Sequence, residues 1–103
     1  MRRARAVADF AEADRAASGL LGAGARATVG SDAWLDAQTA LAGLDTPRAD
    51  LLAVVTDLEQ LAIARAAAGQ PPYPALQTAQ AEAEADLARI TALVSARKAR
   101  LPL

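Results

Sequence analysis

The feature that most restricts the fold is a repeat of mostly apolar residues at alternating spacings of three and four. We call these positions the seam. It runs from Trp34 to Arg65, crossing Pro47 without a shift, and again from Leu76 to Leu101. The repeat positions are Trp34, Ala37, Leu41, Leu44, Arg48, Leu51, Val55, Leu58, Ala62 and Arg65, then Leu76, Gln80, Ala83, Leu87, Ile90, Val94, Arg97 and Leu101. A period near 3.5 residues places such side chains on one side of an α-helix, so each stretch is predicted to be a helix in a coiled-coil-like pair.

The composition supports an all-α fold. Alanine, the best helix former, supplies 30 of the 103 residues, and 14 more are leucine, whereas valine supplies five. A chain of this length is expected to form a single small domain over residues 1–103. We predict a three-helix arrangement dominated by a long antiparallel hairpin, with a short N-terminal helix beside it.

The second helix is predicted over residues 31–68. Ser31 is a suitable N-cap, and Gly69 provides the C-terminal stop. We interpret Pro47 as a bend within one helix, because Gly43 four residues earlier leaves room for the proline ring. The alternative is a new helix that starts at Thr46-Pro47, since proline is favoured at the first helical position.

The segment 69–74, with three prolines in four residues, is predicted to be a tight turn. We expect Tyr73 to bury its ring over the helix ends and to keep its hydroxyl in water. The third helix is predicted over residues 75–100. Folding the two long helices back at this turn pairs Val55 with Leu87 and Leu51 with Ile90.

The first helix is predicted over residues 2–17, with one apolar stripe formed by Phe10, Ala13, Ala17 and Leu20. Residues 18–31 contain four glycines and are predicted to be a flexible joint. This joint lacks the Lys-Ser/Thr pair of a P-loop and the preceding strand of a dinucleotide-binding loop, so it does not indicate phosphate binding.

Charge and cysteine content exclude several function classes. The chain has neither cysteine nor histidine, which removes disulfides, the usual soft metal ligands and Cys- or His-based catalysis. The densest carboxylate group, around Glu82 and Asp86, is typical of a solvated face, with Asp86 paired to Arg89. We therefore expect no enzymatic activity, cofactor, metal or small-molecule ligand.

The basic residues are concentrated at the two ends of the chain, with Arg2, Arg3 and Arg5 at one and Arg97, Lys98 and Arg100 at the other. The net charge of −1 gives no general attraction to nucleic acid, which is a disfavoured partner. No segment is apolar enough to span a membrane, and charged residues interrupt any signal-peptide core. A cytoplasmic location is expected, or a periplasmic one if a leader has been removed.

Three polar residues, Arg48, Gln80 and Arg97, occupy positions of the seam where leucine is usual. The favoured interpretation is that their stems pack and their polar ends reach water. The alternative is that they fix the register or the oligomeric state of the helices, as buried polar residues of coiled coils do.

These features predict a non-enzymatic helical module for protein–protein interaction or assembly, either a homo-oligomer or bound to another protein. Its alanine-rich composition is typical of a bacterial genome rich in GC. The candidate interaction residues are Phe10, Trp34, Leu35, Leu41, Arg48 and Arg97. The second helix is predicted to overhang the third by about 17 Å at its Trp34 end, where apolar residues need a cover. The alternative function is a small nucleic-acid-associated or regulatory protein that binds anionic partners through its arginine-rich ends.

Overall fold

The computed structural model describes residues 2–103, which form three α-helices. Helix α1 spans Arg2–Ala25, α2 spans Asp32–Ala67, and α3 spans Pro74–Ala99. Helix α2 is antiparallel to the other two, so α1 and α3 lie parallel along it in a rod of 58 × 22 × 15 Å. The predicted all-α hairpin with an added N-terminal helix is confirmed.

The predicted seam is confirmed along both long helices. Every position of the repeat, from Trp34 to Arg65 and from Leu76 to Leu101, is buried or half-buried. Leu44, Leu51 and Ile90 are completely buried, and Val55 belongs to the same core cluster. Leu87 packs against that cluster as a half-buried residue. The 3.5-residue period therefore identified the buried side of each helix.

The ends of α2 form as the sequence indicates. The Ser31 side chain accepts a hydrogen bond from the backbone N–H of Trp34, so it caps the first turn. At the other end, Gly69 has a φ of +73° and donates to the Ala66 carbonyl, while Gln70 donates to that of Arg65. This is a Schellman termination, in which glycine adopts the left-handed conformation without a Cβ penalty.

Helix α2 is continuous through Pro47, which is itself buried. The interpretation of a single helix is thus confirmed over that of a new start at Thr46-Pro47. Proline removes one backbone donor, and the expected role of Gly43 is not seen, because a Cβ at Gly43 would meet no side chain within 4 Å and so would not touch the proline ring. Packing of the proline ring into the core compensates for part of the lost hydrogen bond.

The predicted end of α1 at residue 17 is wrong, because the helix continues through Gly19, Gly22 and Gly24 to Ala25. The Gly-rich joint of 18–31 is therefore helical in its first part, and the connection between helices is only 26–31. Helix propensity is a weak preference that tertiary packing can override. Here the packing is a close contact: a Cβ on Gly24 would lie 2.1 Å from the Cβ of Ala37 in α2.

The buried side of α1 also differs from the predicted apolar stripe. Leu21 is buried with Phe10 and Ala17, whereas Leu20 is 47 % exposed. Because α1 has 24 residues, it reaches along α2 as far as Asp57, which pairs with Arg2. It packs on α2 more extensively than α3 does. The predicted α2–α3 hairpin is present, and the most extensive contact between helices is that of α1 with α2.

Candidate interaction surfaces

Two of the predicted interaction residues are unavailable to a partner. Phe10 is 3 % exposed and Leu41 is 9 % exposed, and both belong to the hydrophobic core beneath α1. The predicted first helix, residues 2–17, is too short to reach the part of α2 that contains Leu41. The extension of α1 to Ala25 covers it.

The Trp34 region is partly closed by the C-terminal residues. The Trp34 indole N–H donates to the Pro102 carbonyl at 2.8 Å, and the side chain is half-buried. The neighbouring Leu101 is buried and lies against the position of Gly24. Leu35 remains 49 % exposed on the outer side of α2. Of the predicted apolar patch, Leu35 is thus the residue with the larger free surface.

The polar seam residues behave in two different ways. Arg48 bonds Asp45 in its own helix at 2.6 Å, and Gln80 bonds Glu84 in its own helix, which agrees with the interpretation of solvated polar ends. This hydrogen bond from Arg48 lowers the pKa of Asp45. Arg97 instead crosses to α1, where its Nε and Nη2 bond the two oxygens of Asp14 at 2.6 and 2.8 Å.

The pair formed by Arg97 and Asp14 fixes the position of α1 beside α3. The two hydrogen bonds from Arg97 lower the pKa of Asp14, although partial burial of the carboxyl acts in the opposite direction. The same contact raises the pKa of the Arg97 guanidinium. A bidentate arginine–carboxylate contact has a defined geometry, so this residue supports the alternative in which a polar seam position sets the register.

A second ion pair repeats that register near the start of α1. Arg3 bonds Asp86 at 2.6 Å and lies 3.3 Å from Glu82, both on α3. Arg3–Asp86 and Asp14–Arg97 have the same sequence separation of 83, as two parallel helices in a single register require. The charges are reversed between the two pairs, which disfavours a shift of α1 along α3.

The N-terminal arginines are therefore occupied within the protein. Arg2 pairs with Asp57 of α2, Arg3 pairs with α3, and Arg5 lies 3.9 Å from Asp9 in its own helix. Binding of an anionic partner through the arginine-rich ends requires these charges to be free. Since each of these arginines has a carboxylate within 4.0 Å, this end gives little support to nucleic-acid binding.

A part of the hairpin extends beyond α1. We call residues 58–81 the two-helix tip, and residues 2–57 and 82–103 the three-helix segment. In the tip, Leu61 is 51 % exposed, Ile63 is 61 % exposed and Tyr73 is 51 % exposed. The predicted burial of the Tyr73 ring is wrong, because the ring lies at the surface. The Arg65 guanidinium lies over the ring, 5.1 Å from the ring centroid.

The tip is also poor in charge. Residues 60–81 contain one charged side chain, Arg65, and Glu59 brings the charge of the whole tip to zero. The three-helix segment contains the other 21 charged residues of the chain. Depletion of charge together with exposed apolar side chains is typical of the centre of a protein–protein interface.

The groove that α1 occupies between α2 and α3 continues into the tip. An open volume of about 490 Å³ at the start of α1 is lined by Asp57 and Leu58 of α2 and by Ala79 and Glu82 of α3. Leu61 follows one turn after Asp57 on the same side of α2. We call this continuation of the groove, lined by Leu58 and Ala79 and flanked by the exposed Leu61, the distal groove.

At the opposite end of the molecule, the C-terminal ends of α1 and α3 enclose a cleft of about 330 Å³. Its lining includes Asp14, Ser18, Gly22, Arg26, Arg97 and Arg100, and we call it the basic cleft. Within residues 2–103 there is no group of three or more acidic side chains arranged to hold a metal ion. The same residues include no helix that is long and apolar enough to cross a membrane.

Comparisons with protein-family models, with curated proteins and with solved structures found no match to this chain. A functional proposal therefore depends on the surfaces described above.

Proposed function

We propose that this protein is a non-enzymatic helical assembly module that self-associates through the distal groove of its two-helix tip. The observation that supports this proposal is that, within residues 2–103, α1 packs beside the three-helix segment and not beside the tip. Helix α1 begins at the level of Asp57, whereas α2 continues for ten more residues, about 15 Å, with α3 beside it. Among the described residues, no third helix lies beside the tip.

The apolar residues of the tip favour a helix as the occupant of the distal groove, and the charged residues Arg2, Arg3, Asp57 and Glu82 line only the cavity at its start. Leu58 and Ala79 are half-buried, and Leu61 lies one helical turn beyond Asp57, the residue of α2 that pairs with Arg2 of α1. A helix placed there would cover Leu61 as α1 covers the preceding part of α2. Covering a leucine that is half exposed contributes about 1 kcal/mol from apolar burial.

The charge distribution favours a second copy as the source of that helix. Two tips can approach each other without repulsion, because each tip has zero net charge and 22 consecutive residues with a single charge. Two pairs of helices that meet in this way form a four-helix arrangement with an isologous interface, in which each Leu61 is buried by the partner's tip.

The experiment is light scattering on the purified chain from micromolar to millimolar concentration, with Leu61→Ser as the test variant. We expect the wild type to dimerise and Leu61→Ser to weaken dimerisation at least about tenfold, because the symmetric interface loses two leucines.

Ile63→Ser is the matched control for Leu61→Ser. Ile63 is more exposed than Leu61 and lies about 200° away around α2, outside the distal groove. We expect its substitution to leave dimerisation unchanged. A wild type that stays monomeric at millimolar concentration contradicts the proposal, as does an equal effect of the two substitutions.

A further inference from the structure

Besides the tip, the basic cleft has the features of a ligand site. Three guanidinium groups, those of Arg26, Arg97 and Arg100, share this cleft with one carboxylate, Asp14. Arg97 is held in place by its two hydrogen bonds to Asp14. Across residues 2–103, no carboxylate lies within 4.0 Å of Arg26 or of Arg100. The cleft therefore contains two positive charges without a counterpart.

The helix ends compensate for only part of this charge. Both α1 and α3 end at the cleft, and the carbonyl end of a helix is equivalent to roughly half a negative charge. The two ends together offset about one of the two excess positive charges. Lys98, in the last turn of α3, adds a further positive charge near the same end. The region is thus attractive to an anion after the helix dipoles are included.

The wall of the cleft formed by α1 is made of small residues. Ser18, Gly22 and Ala25 are spaced by four and three positions, so they lie on one side of the helix. A glycine inside a helix costs about 1 kcal/mol relative to alanine. At Gly24 this cost is explained by packing, because a Cβ there would overlap Ala37. At Gly22 a Cβ would meet nothing within 4 Å among the described residues, apart from the backbone of its own helix.

The open space beside Gly22 belongs to the cleft, so its missing side chain enlarges the cavity. A cavity of about 330 Å³ is at the lower end of the range for small-molecule sites. The Ser18 hydroxyl, which donates to the Arg15 carbonyl, retains its lone pairs and can orient a donor group of the ligand.

From these features we infer that the basic cleft binds a small phosphate-type dianion, free or as a monoester, between Arg26 and Arg100. Guanidinium groups match the oxygens of a phosphate group in pairs, and a dianion supplies the two negative charges that the lining lacks. Leu21 and Ala25 complete the lining and offer apolar contact to the organic part of a monoester. This site is separate from the distal groove and independent of self-association.

The test is isothermal titration calorimetry at pH about 8, where phosphate is mainly dianionic, with inorganic phosphate and phenyl phosphate as probes and ionic strength held constant with chloride. We expect saturable binding that weakens at least about tenfold in Arg26→Gln and in Arg100→Gln, since each removes a charged hydrogen-bond donor. Tighter binding of phenyl phosphate identifies a monoester as the ligand, and equal binding identifies free phosphate.

The chain provides matched controls for both kinds of variant. Gly22→Leu fills the cleft and is expected to abolish binding, whereas Gly19→Leu places the same side chain in open space on the same helix outside the cleft. Arg15→Gln removes an exposed arginine of α1 that does not line the cleft. Thermal unfolding by circular dichroism shows whether each variant is folded. The inference is overturned if the wild type shows no saturable binding, or if Arg15→Gln and Gly19→Leu weaken binding as much as the cleft variants.

Discussion

The three-helix segment and the two-helix tip contain the same seam repeat but bury it to different degrees. In the three-helix segment, Leu44, Leu51 and Ile90 have no exposed surface. Within the tip, residues 58–81, Leu76 is buried, but the other apolar seam positions, Leu58 and Ala62, are only half-buried. Leu61 and Ile63, which lie off the seam, are more than half exposed. The repeat places a side chain toward the neighbouring helix, but full burial requires a third helix. The tip is more exposed because, within residues 2–103, it consists of α2 and α3 alone.

The largest expected effect compares a core leucine from each region. Leu51→Ala should lower the free energy of unfolding by about 2–5 kcal/mol, because it leaves a cavity under three helices. Leu76→Ala should lower it by about 1–2 kcal/mol, because fewer atoms surround this side chain and the tip can relax. Urea denaturation of the two variants measures the difference. Equal losses would show that the third helix adds nothing to burial.

The next effect concerns the close approach of α1 and α2, which only the three-helix segment contains. Gly24→Ala should destabilise the protein by about 1–3 kcal/mol, because the new methyl group overlaps Ala37. Gly22→Ala is the control, and it should stabilise the protein by about 0.5–1 kcal/mol through helix propensity alone. The two substitutions are expected to have opposite signs in the same denaturation assay. A stabilising Gly24→Ala would mean that α1 lies farther from α2 than described.

The smallest effect tests the lateral contact of α1 with α3. Asp14→Asn should cost about 1 kcal/mol near neutral pH, because it removes a bidentate pair that is partly shielded from water. The pKa of Asp14 is lowered in the folded protein, so its contribution is complete above the unfolded pKa of about 3.9 and is lost as the pH falls toward the folded value.

The stability difference between the wild type and Asp14→Asn should therefore shrink below about pH 4. Asp45→Asn provides the comparison, because Asp45 pairs within its own helix and is exposed. Its substitution should have a smaller effect on stability at neutral pH. Denaturation curves for both variants from pH 7 to pH 3 provide the measurement, and a difference for Asp14→Asn that does not change with pH would contradict the assigned role.

Much of the fold was predictable from local patterns. The seam repeat, the Ser31 cap, the Gly69 termination and the continuity of α2 through Pro47 all depend on residues within a few turns of one another. The length of α1 was not predictable in this way. Its glycines argue for a loop by propensity, and the contact of Gly24 with Ala37 that favours a helix exists only after the two helices have packed.

The surfaces were less predictable than the fold. Phe10 and Leu41 are candidates for an exposed patch only if α1 is short, and the N-terminal arginines are candidates for an anionic partner only if their carboxylate neighbours are unknown. Charge depletion over residues 60–81 is the one signal in the sequence that could have indicated the tip. The basic cleft combines residues from the ends of two helices that are far apart in the chain.

The sequence by itself determined that this chain is helical and which side of each long helix is buried, because helix propensity and a 3.5-residue period are properties of neighbouring residues. The tertiary structure decided how far α1 extends, which arginines are neutralised and where apolar surface stays uncovered. These features depend on the position of one helix beside two others. That position is fixed by contacts between distant residues, such as Gly24 with Ala37 and Asp14 with Arg97.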